Sequence, residues 1–403
     1  MNPLRVAVAG GGIGGLAAAL ALSRRGAHTV LHEQATVWGE IGAGVQLGAN
    51  AVRVLQALGA GDALRQVAAV PRGLRVMGAP KGTELARLEL GERHRRRYGA
   101  PYLTLHRADL HAVLLDAVQA IGAAELHLGR TVQDWRELLP ADAVVAADGL
   151  WSPLRRSLLP DEGLPVATGH LALRGMVAQS ALPAAQRSEE VCVWLGPGLH
   201  AVRYPIRGGE LLNWVIVLHD GVFRPRPRGA NAEPDAERQS WDLAPDAGVL
   251  ERALAQCTAG LRDAAACVPQ WRCWWLSERP PLCGPHQMAQ GPVALLGDAA
   301  HPMRPYLAQG AGMAIEDALV LAQCLQASGA PVEQRLARYA QLRWQRCAQV
   351  QARAQRNGRI FHAQGLLRVA RDLTMRGAGG LLLDLPWLYR GGPVPPAQPA
   401  LVP

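Results

Sequence analysis

A short apolar run opens the chain, and a stretch of small residues and a second apolar run follow it. Residues 4–9 (LRVAVA) have the continuous apolar character of a buried parallel strand. Residues 13–25 predict a helix with small side chains on its packing face, and residues 28–33 (HTVLHE) predict a second strand. This order predicts a βαβ unit.

The same two patterns recur later in the chain. Helices are predicted at 49–58 and from about 309 to 327, and a strand followed by a helix begins at residue 101. Buried strands are predicted at 142–148 (DAVVAAD) and 292–297 (PVALLG). Strands that alternate with helices predict an α/β fold with a parallel sheet.

Two other regions have a different pattern. Residues 71–98 contain short alternating runs, and residues 165–284 contain stretches such as EVCVWLG and ELLNWVIVL. Alternation of this kind predicts antiparallel strands of a second sheet, with an exposed Pro-, Arg- and Asp-rich loop at 224–238. Residues 331–363 predict a helix, and the Pro-rich end after residue 391 predicts an irregular tail.

Composition adds size and charge to this picture. The chain has 403 residues, of which 49% are hydrophobic and 19% charged, enough for two domains with a large core. It has no run of 18 apolar residues and no cleavable signal pattern, so neither a transmembrane segment nor secretion is expected. The net charge is +9, but the basic cluster at 93–97 (RHRRR) lacks interleaved aromatic residues, so no nucleic-acid partner is expected.

Seven cysteines are scattered along the chain without a C-x-x-C pair. An odd number without paired spacing is not typical of a disulfide framework or of a zinc site, so no metal is expected. A reducing cytoplasm is the simplest setting for such a chain.

The first motif with chemical content lies between the first strand and the first helix. Gly10, Gly12 and Gly15 form G-x-G-x-x-G, whose glycines permit a tight turn, close approach of a pyrophosphate and close packing of helix on strand. The helix N-terminus offers N–H groups to the phosphates. Glu33 ends the second strand, where a carboxylate binds ribose hydroxyls. The sequence therefore predicts a dinucleotide site without separating NAD from FAD.

Two later segments each place an aspartate at the end of an apolar strand. Asp148 lies in ADGLWSPLR, and Asp298 lies in LGDAAHP. At such a position a carboxylate can accept hydrogen bonds from ribose hydroxyls or from loop N–H groups. Each segment by itself is equally compatible with a capped strand–helix turn.

The order of the G-x-G-x-x-G, DG and GD segments resembles the class A FAD-dependent aromatic hydroxylases, the group of the p-hydroxybenzoate and salicylate hydroxylases. The resemblance extends to GAGVQL at 42–47, to HRADL at 106–110 and to the segment 309–318, and it covers residues 4 to about 363. It implies a p-hydroxybenzoate hydroxylase-like fold, in which a β-sheet substrate domain interrupts a Rossmann-like FAD-binding domain and a C-terminal helical segment follows.

The implied domains are discontinuous. They are an FAD-binding domain of residues 1–70, 101–160 and 285–330, a substrate domain of residues 71–100 and 165–284, and a C-terminal helical segment and tail of residues 331–403.

The resemblance also implies which residues hold non-covalent FAD. The first motif and its carboxylate would hold the ADP half, and Arg107 would reach the pyrophosphate. Asp298 would bind the ribityl chain, and Asp148 has both FAD and NAD(P)H roles in the family. Val45 and Gly310 would line the isoalloxazine ring, with the helix N-terminus stabilising the anionic reduced ring.

The implied reaction uses NADH or NADPH as a co-substrate. Its binding is expected to be transient, because no second G-x-G-x-x-G is present to hold it. Reduced flavin takes up O2, and the resulting flavin hydroperoxide transfers one oxygen to an electron-rich ring. A base that removes the proton of a substrate phenol raises the electron density of the ring and directs attack to its ortho or para position. The expected partners are therefore a small aromatic substrate, O2 and NAD(P)H, and a homodimer is left open.

Two strings narrow the substrate. PMRPYLAQGAGM at 302–313 and LHAVRYPI at 199–206 are similar to 3-hydroxybenzoate 6-hydroxylases and 6-hydroxynicotinate hydroxylases. In that group a His and a Tyr in this string face the substrate, and His200 and Tyr204 match them in type and spacing. Alternation along a strand places both on one face. His200, with an ordinary imidazole pKa of about 6.5, is the candidate base. Gln309 is expected to hydrogen-bond the phenol from the flavin side.

Several alternatives remain at this stage. The same chemistry on a hydroxypyridine or salicylate, or the epoxidation of a non-aromatic substrate, fits the same motifs. A flavoprotein that binds FAD without turnover is a further alternative, and His200 could be a packed edge-strand residue. His301, in the GDAAHP segment, is expected to be structural.

Overall fold

The computed structural model describes residues 3–39, 44–219, 243–245, 248–327 and 329–396. Strands and helices are numbered along the chain within these ranges. The strands are β1 (Arg5–Ala9), β2 (His28–His32), β3 (Gly44–Leu47), β4 (Gly73–Gly78), β5 (Glu84–Glu89), β6 (Leu103–His106), β7 (Ala124–His127), β8 (Ala143–Ala146), β9 (Val166–Ala178), β10 (Val191–Gly196), β11 (Leu199–Ile206), β12 (Leu211–His219), β13 (Trp271–Glu278), β14 (Ala289–Gln290) and β15 (Val293–Leu295). The helices are α1 (Ile13–Ser23), α2 (Ala49–Ala57), α3 (Gly61–Val67), α4 (Gly91–Tyr98), α5 (Arg107–Ile121), α6 (Pro153–Leu158), α7 (Val249–Leu254), α8 (Ala259–Ala266), α9 (Gly310–Gln326), α10 (Val332–Phe361), α11 (Gly365–Leu383) and α12 (Pro386–Tyr389).

The first large sheet contains the strands that the continuous apolar runs predict. Its six strands have the order β14-β15-β8-β1-β2-β7, and all its neighbours are parallel except the β14–β15 pair. Helix α1 follows β1 and packs against α5 and α9. Every residue from Gly15 to Ser23 is buried, and the small side chains among them permit this close packing. The predicted βαβ unit is therefore confirmed.

The second large sheet contains the strands that alternation predicts. Its seven strands have the order β13-β9-β12-β11-β10-β4-β5, and only the β4–β10 pair is parallel. Apolar side chains of α7 and α8 join the core on one face of this sheet. The other face of β11 carries His200, Val202 and Tyr204, all of which line one cavity.

The strand predicted at residue 101 joins neither large sheet. It is β6, which pairs with β3 in a separate two-stranded antiparallel sheet. The first large sheet takes its strands from residues 5–32, 124–146 and 289–295, and the second from 73–89 and 166–278. This membership supports the division into discontinuous domains, which stays a prediction.

The C-terminal part is helical. The helix predicted at 331–363 is α10, which ends at Phe361, and α11 and α12 follow it. In the described part of the chain, none of the helices is both long and apolar enough to cross a membrane. The predicted loop at 224–238 lies outside the described residues, and residues 391–396 have no regular structure.

Candidate functional site

The loop between β1 and α1 depends on two of its glycines. Gly10 has a φ of +100°, and a Cβ there would lie 2.3 Å from the carbonyl oxygen of Ala147, at the end of β8. A Cβ at Gly15 would lie 1.8 Å from the carbonyl oxygen of Gly10. These approaches require glycine, so the loop lies directly against the strand ends where a dinucleotide binds.

Glu33 lies at the end of β2 and shapes the same loop. Its Oε2 accepts a hydrogen bond of 2.6 Å from the Gly11 N–H, and its Oε1 accepts one of 2.7 Å from the Ala35 N–H. Each carboxylate oxygen keeps another lone pair for a ligand hydroxyl. The position agrees with the predicted ribose contact, although the contact itself stays a prediction.

A cavity of about 490 Å³ runs from this loop to the second large sheet. With the exception of Gly15, which lies beneath the loop, the predicted site residues line this cavity. The lining members of that set are Gly10, Gly12, Glu33, Val45, Arg107, Asp148, His200, Tyr204, Asp298, Gln309 and Gly310. Residues far apart in sequence therefore meet around one space, which is large enough for parts of a cofactor and a small substrate.

The carboxyl of Asp148 provides a test of fit for a bound cofactor. Burial raises the pKa of Asp148 to about 6, and its Oδ2 accepts a hydrogen bond of 3.2 Å from the Leu154 N–H. Its Oδ1 is buried without a hydrogen-bond partner in the protein. A buried acceptor of this kind is costly unless a ligand donor satisfies it, so the residue fits a site for a hydroxyl-bearing cofactor.

Asp298 and Arg107 lie at the ends of regular elements that meet at the cavity. Asp298 follows β15 and is exposed, and its Oδ1 lies 3.8 Å from where a Cβ of Gly310 would be. Gly310 is the first residue of α9, so the N-terminus of this helix opens on the cavity. Arg107 is the first residue of α5. A helix N-terminus and an arginine are both suited to an anionic cofactor.

Gln309 is the N-cap residue of α9, and its side chain is fixed by a residue that the sequence analysis missed. The Nδ2 group of Asn50 donates hydrogen bonds to Oε1 of Gln309 at 3.1 Å and to Oε1 of Glu316 at 2.8 Å. The carbonyl of Gln309 therefore faces α2, which leaves its amide N–H groups for a ligand. Asn50 lies more than two hundred residues away in sequence, and no motif points to it.

His200 is buried on β11, with only 2% of its surface exposed. Its Nδ1 lies 2.8 Å from Nε2 of His362, the C-cap residue of α10. The rings of Tyr306 and Phe361 contact it edge-on, at centroid distances of 5.0 and 5.3 Å. Burial, and then the imidazoles of His362 and His170, hold the pKa of His200 well below its ordinary value. The environment therefore favours the neutral ring over the cation more strongly than the ordinary imidazole pKa alone implies.

Tyr204 lies two positions beyond Val202 on the same face as His200. It is 3% exposed, and burial raises the pKa of its phenol, which stays protonated and can donate a hydrogen bond. Its neighbour across β11 and β12 is Asn213, whose Oδ1 accepts a hydrogen bond of 2.7 Å from the Gly44 N–H. This bond ties β3, the strand of Val45, to the second large sheet.

A buried ion-pair network lies beneath the GDAAHP segment. Asp317 of α9 accepts hydrogen bonds from Nε2 of His301 at 2.6 Å and from Nε of Arg343 at 2.7 Å. Burial opposes a charge on His301, but Cys347 and Asp317 outweigh it and raise the pKa of this imidazole. His301 is 0% exposed and lies outside the cavity lining. These observations support the structural role predicted for it.

Arg155 links the two aspartate segments, and the sequence analysis assigned it no role. Its Nη1 donates hydrogen bonds to the carbonyl oxygens of Ala299 at 2.8 Å and Ala300 at 2.6 Å, and its guanidinium pairs with Glu162. The side chain is 3% exposed. The turn that carries Asp298 is therefore held to the helix that follows Asp148.

The basic cluster at 93–97 forms most of α4, and ion pairs occupy it. Arg95 and Arg96 pair with Glu92, while Arg93 pairs with Glu89. Arg97 pairs with Asp384, which follows α11. Arg93 and Arg97 therefore connect α4 to other elements of the fold, whereas Arg95 and Arg96 pair within the helix.

Comparison of the sequence and the structure with known proteins shows which proteins this chain is similar to. A family of FAD-binding domains matches residues 285–354. The 3-hydroxybenzoate 6-hydroxylase of Polaromonas naphthalenivorans is 36% identical over 391 residues, with 93% of each chain covered. The 6-hydroxynicotinate 3-monooxygenase of Pseudomonas fluorescens is 32% identical over 381 residues, covering 91% of this chain and 93% of that protein. A salicylate hydroxylase solved with its substrate is 26% identical, with a TM-score of 0.78 and 96% of each chain covered.

The chain therefore belongs to the FAD-dependent aromatic hydroxylases. It is an FAD-dependent monooxygenase, and NAD(P)H is the reductant typical of this family. The fold and family that the sequence resemblance implies are both confirmed. The roles of the individual site residues stay predictions.

Proposed function

We propose that the protein hydroxylates 3-hydroxybenzoate at carbon 6, the position para to the phenolic hydroxyl. The observation that carries this proposal is the pair His200 and Tyr204, which lines the same cavity as the predicted cofactor residues. Two relatives act on rings that carry both a hydroxyl and a carboxylate, as their names state. A buried neutral imidazole and a protonated phenol are suited to a substrate that must lose one proton.

When bound, FAD supplies oxygen transfer to the ring, with NAD(P)H as reductant and O2 as the oxygen source. Glu33, Arg107 and Asp298 bind the cofactor, and the free acceptor of Asp148 satisfies one of its donors. His200 accepts the proton of the phenol at its Nε2, and the phenol of Tyr204 donates a hydrogen bond that orients the substrate. The phenolate raises ring electron density at its ortho and para carbons.

The apolar side chains of the cavity complete this arrangement. Val202 and Val215, from the central strands, and Leu276 and Met303 line it beside His200. Such walls exclude water from the oxygen-transfer step, so reducing equivalents end in product instead of in hydrogen peroxide.

The test is a panel of aromatic substrates. NAD(P)H consumption is measured with 3-hydroxybenzoate, salicylate, 6-hydroxynicotinate and 3-amino-4-hydroxybenzoate, and products are identified by mass and by retention against standards. The proposal predicts that 3-hydroxybenzoate gives the highest yield of product per NAD(P)H, with the new hydroxyl para to the old one. A higher yield from 6-hydroxynicotinate would establish the hydroxypyridine alternative, which the second relative favours.

We also propose the reducing cytoplasm as the working compartment, and its support is that all seven cysteines are free thiols.

We propose the homodimer as the working assembly, and its support is an apolar stripe on α11. Leu366, Leu373 and Leu381 of this stripe are 87%, 62% and 84% exposed. Contiguous apolar surface is unusual on a monomer. Light scattering should give twice the chain mass, and Leu373→Glu should halve it. A monomeric wild-type protein contradicts this assignment.

A further inference from the structure

The candidate base is almost completely buried beside the cavity. His200 is 2% exposed, and its pKa is held well below the ordinary value. An imidazole in this environment accepts a phenol proton only briefly, because the buried cation is poorly solvated. If the proposed function is correct, the proton must move on from His200 before oxygen transfer.

His362 is within hydrogen-bond distance of the ring of His200, and it has the position that proton transfer requires. Its Nε2 lies 2.8 Å from Nδ1 of His200, within hydrogen-bond distance. It is the C-cap residue of α10, is only partly buried, and does not line the cavity. The two rings therefore lead from the cavity lining to a partly exposed residue outside it.

We propose that His362 is a positioning residue and proton acceptor that forms a two-imidazole relay with His200. The Nδ1–H of His200 donates to Nε2 of His362, so the unprotonated Nε2 of His200 faces the substrate. His362 then carries its own proton on Nδ1.

The relay conserves protons at each step. The phenol O–H bond breaks and a proton binds Nε2 of His200, while the Nδ1 proton of His200 passes to Nε2 of His362 and the Nδ1 proton of His362 leaves to solvent. Both rings are then neutral again, each protonated on Nε2. After hydroxylation, the same steps run in reverse and return one proton to the product phenolate.

Other polar and titratable groups surround the pair, and one of them, His170, lowers the pKa of both rings. Those facing them from neighbouring elements are His170 of β9, His219 of β12, Tyr306 and Arg304 of the loop before α9, and Arg371 of α11. Burial first, and then His170, His219 and the two arginines, lower the pKa of His362 to about 3. Neither ring therefore holds a proton as a cation near pH 7, which favours transfer through the pair over storage on it.

The first experiment measures ring protonation directly. Holoenzyme labelled with 15N-histidine should show the rings of His200 and His362 both protonated on Nδ1 without ligand. Binding of 3-hydroxybenzoate should convert both to Nε2–H, whereas benzoate, which lacks the phenol, should not. Protonation of both rings on Nε2 in the free enzyme overturns the proposal, and this readout does not depend on turnover.

The second experiment measures proton release at pH 8 with a pH indicator. His362→Gln preserves a hydrogen-bond acceptor for His200 but cannot pass a proton. Wild type should release one proton per bound 3-hydroxybenzoate, and His362→Gln should release none. His286→Gln, which replaces an exposed histidine outside the cavity lining, is the control and should release protons as wild type does.

The third readout is product formed per NAD(P)H. His362→Gln should bind 3-hydroxybenzoate and be reduced as wild type is, but its hydroxylation rate should fall on the order of 10²-fold at pH 7. The double variant with His200→Gln should lose no more than either single variant, because both act on one proton. Proton release and hydroxylation at wild-type levels in His362→Gln would overturn the relay.

These outcomes separate the relay from the substrate assignment. If wild type does not hydroxylate 3-hydroxybenzoate, the proposed function fails, and the ring protonation of the free enzyme still decides the relay.

Discussion

At the scale of single residues, burial changes what the predicted side chains can do. The sequence correctly places His200 and Tyr204 on one face of a strand, because side chains alternate along a strand. It cannot show that His200 is bonded to His362, a residue 162 positions away in the chain. A pKa depends on such neighbours, so the ordinary imidazole value used for His200 in the sequence analysis leaves out the lowering that burial and His362 cause.

The low pKa of His200 has a direct consequence for the pH profile. A base whose pKa is depressed is already unprotonated below pH 6.5, so the product yield per NAD(P)H should stay constant from about pH 6 to pH 8. Replacement of His200 by Gln should reduce hydroxylation on the order of 10²-fold at pH 7 and should raise hydrogen peroxide. The yield should recover towards pH 10, where a phenol ionises without a base.

Tyr204 is the comparison position for that experiment. Tyr204→Phe retains the aromatic ring and leaves His200 in place, so it should weaken substrate binding. Its product yield per NAD(P)H should not rise towards pH 10, unlike that of His200→Gln. A wild-type profile that falls through pH 6.5, or a His200→Gln variant with normal yield at pH 7, would remove His200 from the reaction.

Asp298 offers a test of cofactor binding at the same scale. Asp298→Ala should lose most of its FAD while its far-ultraviolet circular dichroism stays unchanged, because the carboxylate faces the cavity from an exposed position. Asp161→Ala removes an exposed carboxylate outside the cavity lining and should keep full occupancy. The ratio of flavin to protein absorbance measures both, and full occupancy in Asp298→Ala would exclude the ribityl assignment.

At the scale of secondary-structure elements, apolar runs determine what the sequence can predict. Strands β1, β2 and β8 and helices α1 and α9 lie close to their predicted positions, because long buried runs have a clear pattern. The β3–β6 pair was not predicted, because each strand has four residues and its partner lies far away in the chain. Gly44 of β3 is held by Asn213 of another sheet, a tertiary contact with no local pattern.

Arg155 provides a prediction about the junction between elements. Arg155→Met would leave the carbonyl groups of Ala299 and Ala300 without their donor, so the turn that carries Asp298 should loosen. We expect weaker FAD binding and a lower melting temperature. Arg156→Met changes the adjacent exposed arginine and is the matched control. Equal FAD affinity in the two variants would show that the link does not position the turn.

The pairing of α9 with α10 gives a prediction about stability. Burial alone would raise the pKa of Asp317, but His301 and Arg343 outweigh it and lower the pKa. The ion pairs of Asp317 with His301 and Arg343 therefore stabilise the fold above pH 3.8, the pKa of the carboxyl in the unfolded chain. This stabilisation is lost as the pH falls below that value. Asp317→Asn should cost about 3–5 kcal/mol of unfolding free energy at pH 7, and less at pH 3.

Chemical denaturation at the two pH values measures this difference. Glu333→Gln, at the exposed start of α10, is the control and should change stability by less than about 0.5 kcal/mol. An Asp317→Asn variant as stable as wild type at pH 7 would mean that the buried pair contributes no net stability.

At the scale of the whole molecule, one cavity joins residues from both large sheets. The residues expected to hold the cofactor could be placed around it from sequence, because G-x-G-x-x-G and the two aspartate segments are compact motifs. The substrate half was predicted only where a string resembled relatives. Asn50, Arg155 and His362 were missed, because each acts through contacts between distant elements.

The most direct test of the account is oxygen transfer under 18O2. The purified holoenzyme is supplied with NAD(P)H and 3-hydroxybenzoate, and the product is analysed by mass, with His200→Gln in parallel. The account predicts one 18O atom in a new hydroxyl para to the original one in wild type, and mainly hydrogen peroxide from His200→Gln at pH 7. Oxidation of NAD(P)H with only hydrogen peroxide from wild type, or equal labelled product from His200→Gln, would contradict it.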